Sequence, residues 1–67
     1  MPKLYSSRQI VKTLERHHFG FVSQKGSHAK FRKGELTTIV PMGKKEIPAG
    51  TFSSILRQSQ LKKENFK

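Results

Sequence analysis

One histidine in this sequence has neighbours that could support acid–base chemistry on a phosphate. His28 follows a Gly-Ser pair in the stretch QKGSHAKF, with one lysine three residues before it and another two residues after it. An imidazole can accept or donate a proton near neutral pH, and nearby cations attract phosphodiesters. His28 could therefore act as a general base beside a phosphate-binding group. A histidine on an exposed strand can also be a contact residue or have no role.

Cleavage of RNA is the reaction that suits such a site, because RNA supplies its own nucleophile, the 2′-hydroxyl. The reaction forms a cyclic phosphate and needs a base, a proton donor for the leaving oxygen and charge stabilisation, but no metal ion. Proton transfer by one histidine contributes roughly 10²–10⁴-fold to the rate, so a modest enzyme is expected. No metal or cofactor is predicted, since the sequence has no cysteine or aspartate and its four glutamates are scattered: Glu15, Glu35, Glu46 and Glu64.

The other two histidines have simpler explanations. His17 and His18 are expected in the last turn of the first helix, where the helix dipole favours a cation and capping is the expected role. Adjacent residues on a helix point in different directions, so the pair is a poor metal site.

A second place for phosphate is indicated by two adjacent lysines. Lys44 and Lys45 precede Gly50 and Thr51, at which a second helix is expected to begin, and the free amides of a first helical turn can bind an anion. Both lysines can also be solvated loop charges, and the sequence leaves the two interpretations open.

The first element that must position these residues is a helix predicted over about 6–18. Ser6 can be the N-cap and Gln9, three residues later, can complete a capping box, while Gly20 is a plausible C-terminal stop. The aromatic residues beside that stop are expected to pack the helix end against a sheet and not to stack on bases: Phe19 and Phe21.

Three short strands are predicted after this helix, over 21–25, 27–32 and 36–41, separated by turn signals at Gly26 and Gly34. They predict a three-stranded antiparallel meander. Alternation along the middle strand gives it one polar face, with His28, Lys30 and Arg32, and one face turned towards the helices, with Ala29 and Phe31.

A second helix is predicted from about Thr51, as N-cap, to residue 60, and its buried stripe comprises Phe52, Ile55 and Leu56. The predicted fold class is α+β, in the order α-β-β-β-α, with both helices on one face of the antiparallel sheet. The chain of 67 residues is expected to form one domain, 1–67, with its core over about 6–60. The tail, 61–67, could fray, or Leu61 or Phe66 could dock on the core.

The charge of the chain predicts a polyanionic partner. Fourteen lysines and arginines against four acidic residues give a formal net charge of +10, spread from Lys3 to Lys67. Nucleic acid is the commonest partner of such a surface, and an acidic protein fits the same charge. The absence of cysteine and of an apolar N-terminal stretch predicts a cytoplasmic protein with no membrane contact.

An ordered set of short motifs resembles the HicA toxins of prokaryotic HicA–HicB toxin–antitoxin pairs. The motifs are GF at residues 20–21, KGSHAKF at 25–31, VP at 40–41 and EIPAGTFSSIL at 46–56. The resemblance spans about residues 6–60, and the set is much more specific than any one of its pieces.

The resemblance implies a double-stranded-RNA-binding-domain-like fold and a ribonuclease that cleaves mRNA and is inhibited by a HicB antitoxin covering its active site. It implies that His28 is the catalytic histidine, with Gly26 setting the turn and Ser27 orienting the imidazole or the phosphate. Many family members carry another histidine after the Val-Pro pair, whereas this chain has Met42 and Gly43 there. The acid that protonates the leaving group would then be His28 itself, Lys25, Lys30 or water.

The leading hypothesis is therefore a metal-independent endoribonuclease toxin. Its candidate phosphate contacts are Lys25, Lys30, Arg32, Lys44 and Lys45. A non-catalytic module that binds double-stranded RNA by its shape is the alternative from a different class. Direct DNA binding by the toxin alone is not expected, because no helix combines a basic stripe with a helix-turn-helix connection.

Overall fold

The structure, a computed structural model, describes residues 4–66. Residues 1–3 and 67, which the predicted domain and the charge distribution include, lie outside the described part. The elements are helix α1 (Ser7–Arg16), strands β1 (Gly20–Lys25), β2 (His28–Lys33) and β3 (Leu36–Pro41), helix α2 (Ala49–Ser59) and a 3₁₀ helix (Lys63–Phe66).

Helix α1 begins as predicted and ends earlier than predicted. The Gln9 backbone N–H donates to Ser6 Oγ at 3.1 Å and the Ser6 N–H donates to Gln9 Oε1 at 2.9 Å, which completes the capping box. At the other end His17 is the C-cap and His18 takes the left-handed turn, with φ 72°. Gly20 as the stop was wrong, since His18 makes the turn and Gly20 already belongs to β1.

The three strands form an antiparallel meander in the order β1-β2-β3, as predicted. Two residues connect each pair of strands, with a glycine of positive φ first in each turn: Gly26 at 60° and Gly34 at 59°. A positive φ at the first central position is typical of the type II′ turn, whose twist matches that of the strands it joins. These glycines thereby set the register that pairs β2 with both neighbours.

Strand β1 contains an irregularity that changes which residues face which side. Its register shifts between Phe21 and Ser23, so that Val22 has no partner on β2. One extra residue reverses the alternation beyond it. The bulge therefore places Phe21, and not Val22, opposite Phe31, whereas Lys25 and His28 flank the two-residue turn, are paired by it and lie on the same face of the sheet.

Helix α2 begins before the predicted N-cap. Pro48 is the N-cap, without a side-chain hydrogen bond, and the first intrahelical bond runs from the Phe52 N–H to the Pro48 carbonyl at 2.9 Å. Thr51 as N-cap was wrong, because the fixed φ of Pro48, −57°, already leads into the helix and Thr51 lies inside the first turn. The helix ends at Gln60, which takes a left-handed φ of 59°.

The core lies between the helices and one face of the sheet. Fully buried side chains come from both helices, from β2 and β3 and from the loop before α2: Ile10, Leu14, Ala29, Val40, Ile47 and Ile55. Phe66 is also buried, and its ring centroid lies 6.1 Å from that of Tyr5 and 5.1 Å from that of Phe52. The sequence left open whether the tail frays or docks on the core. In the described residues of the tail, Phe66 docks on the core.

The architecture confirms the α+β fold class, with the order α-β-β-β-α and both helices on one face of the sheet. The double-stranded-RNA-binding-domain-like fold that the resemblance implies is confirmed with it. Within residues 4–66 no helix has the length and apolar character needed to cross a membrane.

Candidate active site

The uncovered face of the sheet carries His28 with two cations of its own strand. His28, Lys30 and Arg32 are all exposed, whereas the residues between them, Ala29 and Phe31, are 0% and 2% exposed. The predicted division of β2 into two faces is therefore correct. The buried residues fix the register, so the three polar side chains cannot turn inward without exposing Phe31.

Strand β1 adds a third cation directly opposite the histidine. Lys25 is the cross-strand partner of His28, and Pro41 of β3 is its partner on the other side. Directly opposed residues of an antiparallel pair have Cβ atoms about 4.5–5.5 Å apart. The Lys25 ammonium can therefore contact the same phosphate group as the His28 imidazole.

The two cations of β2, Lys30 and Arg32, lie further from His28 than Lys25 does, and at different distances. Residues two apart on a strand are about 6.7 Å apart and residues four apart about 13 Å, which places Lys30 beside His28 and Arg32 beyond it. The Arg32 Nε–H also donates to the Gly34 carbonyl at 3.1 Å, which draws the guanidinium towards the second turn. Arg32 is thus placed to meet a different phosphate from the one at His28.

The turn that precedes His28 is held from both sides. Gln24 Nε2 donates to the Gly26 carbonyl at 3.0 Å, and the Met42 N–H donates to the Ser27 carbonyl at 2.6 Å. The backbone of Gly26 and Ser27 is thereby fixed between β1 and the loop after β3. The side chain of Ser27 is exposed in the turn, next to His28.

The imidazole of His28 itself is exposed and is not oriented by a carboxylate. Among residues 4–66 no side chain makes a hydrogen bond to it. No group of three or more His, Cys, Asp or Glu side chains in this part of the chain could hold a metal ion. The face thus combines one exposed imidazole, a group able to accept or donate a proton, with three exposed cations.

Lys44 and Lys45 lie at the start of α1. The Ser7 N–H donates to the Lys44 carbonyl at 2.9 Å and the Lys44 N–H donates to Ser7 Oγ at 3.0 Å. The sequence had associated these lysines with Gly50 and Thr51 at the start of α2, but the hydrogen bonds of Lys44 connect it to α1. The sequence could not reveal this pairing, since it joins residues 37 positions apart.

A third cation shares the surface of the two lysines. Arg8 lines an open cleft together with Lys44 and Lys45. No sequence signal assigns a function to Arg8, because an arginine in the first turn of an amphipathic helix is usually a solvated charge. Only the position of the loop against α1 gives it basic neighbours.

The predictions for the residues around the C-terminal end of α1 are confirmed only in part. Phe19 is 3% exposed and packs in the core, as expected. Phe21 is 58% exposed, so the prediction that it packs the helix end was wrong: β1 is an edge strand and all six of its residues are exposed. His17 is the C-cap of α1, and its backbone N–H donates to the carbonyls of Thr13 and Leu14; the role of its imidazole as a cation favoured by the helix dipole stays a prediction.

The fold and this surface define a small basic protein of the double-stranded-RNA-binding-domain-like class, with a histidine and lysines on its open sheet face. A family model described as "HicA toxin of bacterial toxin-antitoxin" matches residues 7–61, which is most of the chain. The chain therefore belongs to the HicA toxin family, whose members act in toxin–antitoxin systems and have a cognate antitoxin. A comparison with curated proteins finds no match.

Proposed function

We propose that the protein is a metal-independent endoribonuclease toxin that cleaves mRNA at the open face of its sheet. The observation that carries the proposal is the cross-strand pair of Lys25 and His28, which sets a cation beside an exposed imidazole. Membership of a toxin family fits this activity, because cleavage of mRNA stops growth. An mRNA substrate would place the action in the cytoplasm.

In the proposed reaction His28 removes the proton from the 2′-hydroxyl, whose oxygen then attacks the adjacent phosphorus. The bond from phosphorus to the 5′-oxygen breaks, leaving a 2′,3′-cyclic phosphate on one fragment and a 5′-hydroxyl on the other. Lys25 and Lys30 stabilise the added negative charge on the phosphoryl oxygens as it develops. A proton for the leaving oxygen comes from Lys25, Lys30, water or His28.

The supporting parts of the site have separate roles in this proposal. Gly26 sets the turn and Ser27, exposed beside the imidazole, orients the imidazole or the phosphate. Arg32 binds a phosphate further along the substrate, because its guanidinium is drawn to Gly34. The segment after the Val-Pro pair, where many family members carry another histidine, has Met42 and Gly43 here and supplies no proton; the Met42 N–H donates to the Ser27 carbonyl.

We further infer that the cognate antitoxin is of HicB type and covers this face. A formal charge of +10 on a chain of 67 residues favours association with an acidic surface, which would occupy the same positions as the phosphates. Co-expression with the neighbouring reading frame tests this: the partner should co-purify and suppress cleavage. Full cleavage by the purified complex would contradict it.

A second candidate function is a non-catalytic module that binds double-stranded RNA. It is favoured by the fold and by the lack, within residues 4–66, of a side chain that holds the His28 imidazole in one orientation. This candidate predicts tight, salt-sensitive binding to duplex RNA that stays intact after long incubation.

The test compares wild-type protein with two histidine variants, His28→Ala and His18→Asn, on end-labelled single-stranded RNA in excess EDTA. His18→Asn is the matched control, because it removes an exposed imidazole while asparagine tolerates the left-handed φ of 72°. The proposal expects cleavage by wild type and His18→Asn, and at least a 100-fold loss in His28→Ala with RNA binding retained. Equal cleavage by all three proteins would remove His28 from the reaction.

A further inference from the structure

The cleft at the start of α1 is a second basic surface, separate from the open sheet face. Its charged lining consists of Arg8, Lys44 and Lys45, and no acidic residue lines it. All three basic side chains are exposed. Three cations around one open cleft, with no counter-charge, form a site of strongly positive potential.

The backbone that carries these cations is fixed by one buried serine. Ser7 is 3% exposed, and its hydroxyl donates to the Pro41 carbonyl at 2.5 Å while accepting from the Lys44 N–H at 3.0 Å. Further along, the Ile47 N–H donates to the Tyr5 carbonyl at 2.7 Å. The loop is thereby tied to the first residue of α1 and to Tyr5, which precedes the helix, so the lysine backbone needs little ordering when a ligand binds.

Two of the first three amides of α1 are already engaged. The Ser7 N–H is used by the Lys44 carbonyl, and the Gln9 N–H by Ser6 Oγ. Most of the attraction for an anion therefore comes from the side chains, which are long, mobile cations suited to a flexible phosphate chain.

The cleft adjoins the candidate active site. Met42, which lines the cleft, donates its N–H to the carbonyl of Ser27, the residue before His28. Pro41 is the cross-strand partner of His28, and Lys44 follows it by three residues, a span of at most about 11 Å. An RNA strand with one phosphate at His28 can therefore place a flanking phosphate in the cleft.

We propose that Arg8, Lys44 and Lys45 form a phosphate-binding subsite for a nucleotide flanking the scissile bond of single-stranded RNA. The inference rests on the ribonuclease activity proposed above and adds Arg8 to the substrate-binding residues. Binding of the flanking phosphate in the cleft lowers the free energy needed to position the reacting phosphate at His28. The protein should therefore cleave longer oligonucleotides more efficiently than dinucleotides.

The test compares a cleft variant with a variant of equal charge loss elsewhere. The cleft variant is Arg8→Gln, Lys44→Gln, Lys45→Gln, and the control is Lys12→Gln, Arg57→Gln, Lys62→Gln, whose cations are exposed and lie outside both surfaces. Each protein is titrated, at several salt concentrations, with a single-stranded RNA whose riboses are all 2′-O-methylated and so cannot be cleaved. Thermal unfolding checks that both variants are folded.

For the cleft variant, we expect an increase in Kd of at least tenfold beyond that of the control. The dependence of log K on log salt should also weaken by about 0.7 relative to the control, since each single-strand phosphate contact contributes about that much. With cleavable RNA, the cleft variant should lose kcat/KM on a long substrate but not on a dinucleotide. Equal losses in the two variants would overturn the subsite, because net charge alone would then explain them.

The same measurements separate the subsite from the ribonuclease proposal. If wild type cleaves RNA but the cleft variant matches the control, the ribonuclease proposal stands and the subsite is wrong. If no protein cleaves RNA but binding of the methylated strand depends on the cleft residues, the cleft binds RNA phosphates, whereas the ribonuclease proposal and the position of the cleft beside a scissile bond are wrong.

Discussion

At the scale of single residues, the cation opposite the histidine is expected to determine the rate. Lys25→Ala should lower kcat/KM by about 10–100-fold, because a hydrogen bond to a charged phosphate is worth roughly 1.5–3 kcal/mol. Lys33→Ala is the control, since Lys33 lies on the same sheet over the Phe19 ring, 6.0 Å from its centroid. Single-turnover cleavage assays make the comparison, and equal effects of the two changes would contradict a specific role for Lys25.

The two turn glycines provide a second, closely matched test at the residue scale. Gly26 and Gly34 have φ values of 60° and 59°, and a Cβ added at either would meet nothing within 4 Å. An alanine in this conformation costs about 1–2 kcal/mol, so Gly26→Ala and Gly34→Ala should lower the unfolding temperature equally. Only Gly26→Ala should also slow cleavage, because its turn leads into His28. A Gly34→Ala protein slowed to the same extent would show that stability alone limits the activity.

At the scale of elements, the contact between α1 and the loop after β3 depends on Ser7. Ser7→Ala leaves the Pro41 carbonyl and the Lys44 N–H without their hydroxyl partner and should lower the free energy of unfolding by about 1–3 kcal/mol. Ser54→Ala, which removes only a helix hydroxyl bonded to the Gly50 carbonyl, should be within about 0.5 kcal/mol of wild type. Urea unfolding of the two variants measures the difference, and equal stabilities would mean that the loop is held by other contacts.

The edge of the sheet offers a comparison between two phenylalanines that are cross-strand partners. Phe21 is 58% exposed and Phe31 is 2% exposed, although their rings meet edge to face with centroids 5.8 Å apart. Phe31→Ala should cost about 3–5 kcal/mol, which is as much as a domain of this size usually has. Phe21→Ala should leave a folded protein with native circular dichroism. Unfolding caused by Phe21→Ala would show that β1 contributes much more to the core than its exposure indicates.

The sequence predicted the elements well where local signals control them. The capping box of Ser6 and Gln9 started α1, and the glycines at 26 and 34 divided the strands. The predictions for Phe21 and Thr51 were wrong, because the first depends on the position of β1 in the sheet and the second on Pro48, which begins α2. Arg8 was missed, because its basic neighbours come from a distant loop. In particular, Phe21 was expected to pack the helix end because it lies beside Gly20, and the position of β1 at the sheet edge exposes it.

The candidate site was predictable to a similar extent. Alternation along β2 placed His28, Lys30 and Arg32 on one face, since their neighbours Ala29 and Phe31 had to be buried. The partner of His28 was not predicted, because the second strand was expected to begin at Ser27; the observed two-residue turn pairs Lys25 with His28. The bulge at Val22, which places Phe21 opposite Phe31, was also not predicted. No sequence signal locates such a bulge, which depends on pairing between strands.

At the scale of the whole molecule, six of the fourteen lysines and arginines lie on two basic surfaces that meet at Met42. The open sheet face carries the proposed chemistry, and the cleft at α1 would hold the flanking strand. A partner that covers only the sheet face would stop cleavage while leaving the cleft able to bind RNA. Long-range attraction by such a charge also implies that both RNA and antitoxin bind more slowly as salt increases.

The most direct test of the proposed chemistry uses an RNA oligonucleotide with one main cleavage site and its copy carrying a single 2′-deoxyribose at that site. Both are incubated with wild-type protein in EDTA, and the masses of the fragments are measured. We predict that the all-ribose strand gives a 2′,3′-cyclic phosphate and a 5′-hydroxyl, and that the deoxy position is not cleaved. Cleavage at the deoxy position, or 5′-phosphate ends, would contradict a reaction in which His28 activates the 2′-hydroxyl.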